Sequence, residues 1–429
     1  MSTVPSNASR LDPSLQQIIR KYITLKEDEI KDANCNLQTV LLDKMQNEMK
    51  EKDETFKALY KQPHYVGSYY ENLRVRHPTE FDINLELQLP IRESDIEIET
   101  EGTEPGFAKI RVGKNFLTHS SAIVIRKIES WVKDHYLCRN SVIQWLQGVV
   151  DKVLGSTEWP QNMTVKRNMS GPAVTLNIQR NAEEFSVDLV PVFTFGTSRL
   201  PPEPLYQVNS SLLQPIKTYL KWCVVPKSPR QDSASRDQWR MSFYMYEKEL
   251  INDRNNMKPV LKLIKLLRDC QKWDGLSSYY IKTVFLWEQK EQSANFWMNS
   301  LGYVFVHMLG RLESYLQKGT IPFFWDERSN LIGHLNEEYK KNMRDRVTRL
   351  KRKLEWAISS SDENNIPSVM DLLYPVSLSV TGEPSPQAGG LQQAVPSDWT
   401  TPMAGAWIIT GVAMVAGGLA ALFRNRNNN

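Results

Sequence analysis

The chain has 429 residues, 41% of them hydrophobic and 24% charged, with a formal net charge of +4. That length is enough for a large bilobed domain or two domains with substantial cores, and so small a net charge leaves any nucleic-acid binding to local patches. Four cysteines, Cys35, Cys138, Cys223 and Cys270, stand far apart without paired spacing, which argues against a disulfide framework and fits a reducing compartment. His135 and Cys138 come nearest to a zinc pair, but a zinc site needs about four ligands and no structural zinc is expected. The opening MSTVPSNASRLDPS has no apolar run and does not read as a signal peptide.

Residues 13–58 place Leu15, Ile18, Ile19, Tyr22 and Ile23, then Val40, Leu41, Met45 and Met49, at helical spacing, which predicts one long helix or a broken pair. Gly67-Ser68 then makes a small-residue turn. From Asp82 the residues alternate, with Ile83, Leu85, Leu87 and Leu89 on one face of a strand and Asp82, Asn84, Glu86 and Gln88 on the other, where Glu80 joins them. The acidic tract RESDIEIETEGTEPG runs into FAKIRVG and predicts a hairpin over 91–113. Helical spacing returns over 120–153. MTVKRN and AVTLNIQR predict short strands divided by Ser170-Gly171-Pro172, and EFSVDLVPVF at 184–193 alternates so that Asp188 is a lone charge on an apolar strand. This first lobe is a sheet with flanking helices.

Beyond RLPPEP at 199–204, apolar residues recur at i, i+3 or i+4 over 246–270, 278–289, 293–316 and 336–358, predicting a second, mostly helical lobe with few strands. A polar strand face against such a lobe predicts a cleft. The stretch 375–402 is rich in Pro, Gly, Ser and Gln and reads as a flexible linker. Pro402 to Phe423 carries no charge and is long enough for a hydrocarbon core of about 30 Å. With Trp407 near one end and Arg424 and Arg426 at the other, it predicts a single transmembrane helix, a tail anchor holding a cytoplasmic domain on an intracellular membrane. The expected segments are therefore 1–58 (helical), 59–205 (sheet core), 206–358 (helical lobe), 359–402 (linker) and 403–423 (anchor).

Carboxylates at i and i+2 on a half-buried strand repel one another unless a divalent cation lies between them. Glu80 and Asp82 form such a pair, and Asp188 is available as a third acid from another strand. The backbone N–H groups and hydroxyl of the Gly67-Ser68 turn suit phosphate oxygens. A phosphate cradle beside hard-metal ligands points to nucleotidyl transfer, with Glu80, Asp82 and Asp188 as catalytic acids and ligands of Mg²⁺ or Mn²⁺. The plainer readings are a solvated acidic face and, for Asp188, a structural ion pair with Lys or Arg.

In order along the chain stand G-S-Y-Y-E, E-F-D, S-G-P-A-V-T-L, S-V-D, W-R-M-S-F with E-K-E, and L-S-S-Y. With these the sequence resembles cyclic GMP-AMP synthase and the wider cyclic GMP-AMP synthase-like receptors over residues 10–358. The resemblance implies an α+β nucleotidyltransferase core with a twisted mixed sheet, a spine helix in the first segment, a helical C-terminal lobe, and synthesis of a cyclic dinucleotide from ATP and GTP. It implies that Ser68, Lys227, Arg240, Ser242, Glu247, Lys265, Ser278 and Tyr279 contact nucleotide, with Tyr279 stacking on a base. Tyr244 and Val66 depart from cyclic GMP-AMP synthase, which has Ser and Thr there, so the bases and linkage of the product stay open.

The resemblance further implies activation by double-stranded nucleic acid through Lys248, Lys258 and Lys262, with Arg20, Lys21 and Lys26 as an extension, and leaves open a homodimer on the activator. The zinc insertion associated with long DNA should fall between Ile251 and Lys258, where only a short loop stands, so double-stranded RNA is favoured over DNA. The basic run from Lys340 to Lys353 reads as a solvated helix face. Two alternatives use the same fold: a linear oligonucleotide synthase with the same acids, and a catalytically inactive membrane-anchored adaptor.

Overall fold

The computed structural model describes residues 4–24, 44–75, 80–117, 120–168, 173–181, 183–196, 199–201, 220–230, 234–252 and 254–375. They divide into a sheet unit, Leu25–Asn252 with Pro322–Asn330, and a helical unit, Met1–Thr24, Asp253–Ile321 and Leu331–Asn429.

Among the described residues the sheet unit carries an 11-stranded mixed sheet. Its strands are β1 (Tyr60–Val66), β2 (Glu80–Leu87), β3 (Ile96–Glu99), β4 (Phe107–Val112), β5 (Val132–Lys133), β6 (Tyr136–Leu137), β7 (Met163–Arg167), β8 (Val174–Arg180), β9 (Glu183–Phe195), β10 (Trp222–Val225) and β11 (Gln238–Ser242). The main path runs β1-β2-β9-β10-β11-β4-β6-β5. β9 is the hub: it lies parallel to β2 along one edge, while its first half pairs antiparallel with β8 and its last residues with β10. Phe81, Ile83, Leu85 and Leu87 of β2 are almost fully buried, as their alternation requires. Helix Arg139–Ser156 packs Val142, Leu146, Val149, Val150 and Val153 inward at helical spacing.

The expected hairpin at 91–113 is the antiparallel pair β3–β4. The helical stretch 120–153 is broken: Ala122–Trp131 and Arg139–Ser156 flank the β5–β6 hairpin, whose turn holds Asp134 and His135 at positive φ. Residues 206–358 were expected as one helical lobe, but β10 and β11 complete the sheet. WCVV and QWRMS are buried at every position, so they show no alternation that separates a strand from a buried helix.

The helical unit is built from Met257–Cys270, Ser278–Glu291, Leu301–Lys318 and Glu337–Ser359, with Asp12–Ile18 packed among them. Ser277, Ser300 and Asn336 cap three of these helices by accepting from the backbone N–H of Tyr280, Tyr303 and Tyr339. The segment around Ala8 lies so close to Leu301–Lys318 that a Cβ at Gly302 would overlap the Ala8 carbonyl oxygen, and Gly302 N–H instead donates to Asp12 at 2.7 Å. Where the spacing over 13–58 predicts one long helix or a broken pair, the described residues hold Asp12–Ile18, Gln46–Lys52 and Glu54–Leu59, the last capped by Asp53 at 2.8 Å, while 25–43 lie outside the described residues.

Two further expectations are corrected. Within 359–402, read as linker, Asn365–Leu373 form a helix whose Ile366, Val369, Met370 and Leu373 are buried at one-turn spacing. Against the predicted single transmembrane helix, the described fold contains no such element. Among the described residues no helix is long and apolar enough to cross a membrane; the three longest, Arg139–Ser156, Leu301–Lys318 and Glu337–Ser359, carry charges that a hydrocarbon core excludes. Residues 376–402 and the expected span 403–423 lie outside the described residues.

Candidate active site

Strand register gathers the site. In a sheet, paired residues put their side chains on the same face. Asp82 of β2 pairs with Asp188 of β9, and Glu86 pairs with Val192. Thr194, two residues on, pairs with Cys223 of β10, and Cys223 and Val225 pair with Ser242 and Arg240 of β11. Glu80, Asp82, Glu86, Asp188, Arg240 and Ser242 therefore share one face of one sheet.

At one end of that face stand the acids. Neighbouring strands lie about 4.8 Å apart, so Asp82 and Asp188 sit side by side, and Glu80 is two residues along the same strand. Asp188 is 8% exposed and accepts a 2.6 Å hydrogen bond from Thr175 Oγ1, its register partner on β8. Glu80 Oε2 faces the Arg74 guanidinium at 3.7 Å, an ion pair longer than a hydrogen bond. Burial, then repulsion from Asp188 and Glu80, holds the Asp82 carboxyl well above the usual carboxylate range. Burial also raises Glu80 and Asp188, against the opposing pull of Arg74 on the first and the Thr175 hydrogen bond on the second.

The turn Gly67–Tyr70 closes against these acids. Gly67 has φ +84°, a region that favours glycine, and a Cβ there would collide with Asp82 Oδ2. Only glycine lets the backbone lie on that carboxylate. Ser68, next to it, is partly exposed, and its carbonyl accepts from Leu73 N–H at 2.7 Å.

Cations lie further across the sheet unit. Arg240 is 4% exposed, with its guanidinium 4.0 Å from the Phe323 ring and 5.3 Å from that of Phe107. Phe323 lies on the β12–β13 hairpin (Pro322–Phe323 and Asp326–Asn330). Lys227, just past β10, buries its ammonium without a hydrogen-bond partner, and burial with the nearby Arg230 and Arg240 charges pushes it well below the ordinary lysine value. Glu247 is buried and accepts from Trp325 Nε1 at 2.9 Å, while Lys248 is exposed.

The remaining expected residues belong to the helical unit. Lys258, Lys262 and Lys265 lie on Met257–Cys270; Lys258 and Lys262 are partly exposed and Lys265 is buried. Burial and the Lys258 charge lower Lys262. Ser278 Oγ accepts from Arg268 at 2.8 Å, and Tyr279 is 6% exposed.

Among the described residues no three His, Cys, Asp or Glu side chains stand gathered as a metal site. The donor chemistry of Glu80, Asp82 and Asp188 nevertheless fits a hard divalent cation: three neighbouring carboxylates, each raised by desolvation, repel one another, and among the described residues only Arg74 stands against them as an opposing charge. Thr175, Arg74 and Phe323 join the site from the structure. Thr175 was legible as the polar-side residue of AVTLNIQR, whereas nothing local marks Arg74 or Phe323.

A mixed sheet with paired aspartates on adjacent parallel strands beside a glycine turn is the core of a nucleotidyltransferase. Residues 69–253 match the Mab-21 protein nucleotidyltransferase domain, and residues 256–349 the Mab-21 protein HhH/H2TH-like domain. The chain is 34% identical to a cyclic GMP-AMP synthase-like receptor of Aethina tumida over 80% of this chain and 87% of that one. It is 33% identical to one of Microplitis demolitor over 79% and 64%, and 31% identical to one of Tribolium castaneum over 78% and 86%. The protein is a nucleotidyltransferase and belongs to the family of cyclic GMP-AMP synthase-like receptors.

Proposed function

We propose that the protein condenses ATP and GTP into a cyclic dinucleotide in innate immune signalling, on activation by double-stranded nucleic acid, with RNA favoured over DNA. The observation that carries this reading is the side-by-side pair Asp82 and Asp188, whose ionisation burial and mutual repulsion oppose unless a cation lies between them, with Gly67 packed on Asp82. When bound by Glu80, Asp82 and Asp188, Mg²⁺ or Mn²⁺ would lower the pKa of an attacking ribose hydroxyl and stabilise the departing pyrophosphate. Thr175 orients Asp188, and Arg74 holds Glu80 toward the pair. Ser68 offers its hydroxyl to phosphate oxygens. Lys227, buried among like charges, is completed by an anionic or strongly accepting group, and Arg240 and Ser242 present donors on the same face as the acids. Glu247, Lys265, Ser278 and Tyr279 complete the proposed nucleotide contacts, and Lys248, Lys258 and Lys262 those to nucleic acid.

The test incubates the full chain with ATP, GTP and Mg²⁺ or Mn²⁺, alone and with double-stranded RNA or DNA, and reads phosphatase-resistant products by mass spectrometry. A cyclic dinucleotide formed with RNA and lost in Asp82→Ala is the expected result. A phosphatase-sensitive product of growing length would instead establish linear synthesis, and no product from folded protein under any condition would refute the reading.

A further inference from the structure

Helix Glu337–Ser359 treats its cations in two ways. Along its inner edges they are held: Arg344 pairs with Asp345 at 2.7 Å, Arg346 donates to Gln271 at 2.8 Å, and Lys351 pairs with Glu313 at 2.5 Å. On the outer face, Arg349, Arg352 and Lys353 are exposed, and among the described residues none makes an ion pair or a side-chain hydrogen bond. Arg352 adds only its field to Glu313. One turn beyond them is Trp356, which at 59% exposed is among the few large hydrophobic side chains in the open. Asp345, Thr348, Arg349, Arg352, Lys353 and Trp356 line a groove of ≈ 500 Å³.

Positions 349, 352, 353 and 356 are spaced i, i+3, i+4 and i+7, so the three cations and the indole share one face within about two turns. A single exposed tryptophan is ordinary by itself, but one set on the same helical face as three cations without ion pairs makes a composite surface that fits a partner. The partner must bring negative charge to three cations and a flat face to one aromatic ring. An acidic peptide supplies the first alone, and a duplex keeps its base faces stacked internally. An unpaired polynucleotide strand supplies both: phosphates for Arg and Lys, and bases for the indole.

We propose that this face of Glu337–Ser359 is a binding site for single-stranded nucleic acid, with Trp356 as the stacking platform and Arg349, Arg352 and Lys353 as phosphate contacts. The site uses none of the residues assigned to catalysis or to Lys248, Lys258 and Lys262, and its test needs no turnover.

The experiment measures fluorescence anisotropy of a short labelled oligo(A), a blunt duplex and oligo(A) with poly-glutamate as competitor, on the full chain at low and at physiological salt. Trp356→Ala should weaken oligo(A) binding about tenfold, with Trp356→Tyr restoring most of it. The triple change of Arg349, Arg352 and Lys353 to Gln should reduce the slope of log affinity against log salt by about two. All four side chains are exposed, so the variants should keep the parent melting temperature. Oligo(A) binding unchanged by Trp356→Ala, the blunt duplex binding as tightly as oligo(A), or poly-glutamate displacing oligo(A) as well as unlabelled oligo(A) does, would overturn the proposal. Absence of a cyclic product would leave a Trp356-dependent affinity standing, whereas catalysis with oligo(A) affinity indifferent to Trp356 would overturn this inference alone.

Discussion

Asp82 and Glu86 stand on the same face of the same strand, four residues apart, and keep opposite company. Burial alone would raise the Glu86 carboxyl, yet hydrogen bonds from His64, Lys221, Thr194 and Gln62 more than offset it and hold it well below the usual range. Asp82 faces Asp188 and Glu80 and is held well above that range. A satisfied buried carboxylate contributes to folding; one surrounded by its own kind detracts from folding and is retained for what binds there.

The largest effect that would break this contrast lies at the acids. Asp188→Asn should reduce nucleotidyl transfer by about three orders of magnitude, scored as product per folded enzyme. Its melting temperature should rise by about 2–4 °C as the repulsion is relieved. Retained activity with a lower melting temperature would make Asp188 a structural group like Glu86.

Glu86→Gln should do the reverse, costing about 2–4 kcal/mol in urea unfolding at neutral pH, with turnover per folded molecule little changed. The pH dependence follows from the sign of the shift. The folded-state value of Glu86 is depressed, so its contribution is present above the ordinary glutamate value, about 4.3, and is lost as pH falls through the folded value. The gap between parent and variant should therefore narrow on acidification. For Asp82, raised in the folded state, stability is fullest when it is protonated and is lost as pH rises through its folded value. A parent–Asp82→Asn comparison should hence diverge on moving from acid to neutral pH.

Lys227→Met sharpens the contrast from the cationic side. Removing a buried, unpartnered ammonium should leave the melting temperature equal or higher, while nucleotide affinity by equilibrium dialysis falls about tenfold. Smallest is Thr175→Val, which deletes the hydrogen bond that lowers Asp188. Turnover should drop about threefold and the acid limb of its pH profile should move to higher pH; an unmoved limb would detach Thr175 from catalysis.

Much of this was legible along the chain. The alternation after Asp82 predicts β2 with its acids on the polar side, and the lone charge of EFSVDLVPVF predicts β9. The helices of the second unit follow their apolar spacing. Trp356 escaped notice because a tryptophan at the end of a helical repeat is ordinarily core. β12 and β13 escaped because strands so short carry no period of their own.

By itself, the sequence determined which residues alternate, where glycine must turn the chain, and which acids exist at what spacing, since these depend on local geometry with periods of two or 3.6 residues. Only the tertiary structure decided that Asp82 and Asp188 are neighbours, that Arg240 and Ser242 share their face, and that Glu86 is satisfied while Asp82 is not. Pairing across strands is set by packing between segments far apart in the chain, and a carboxylate's charge state is set by what that packing brings beside it.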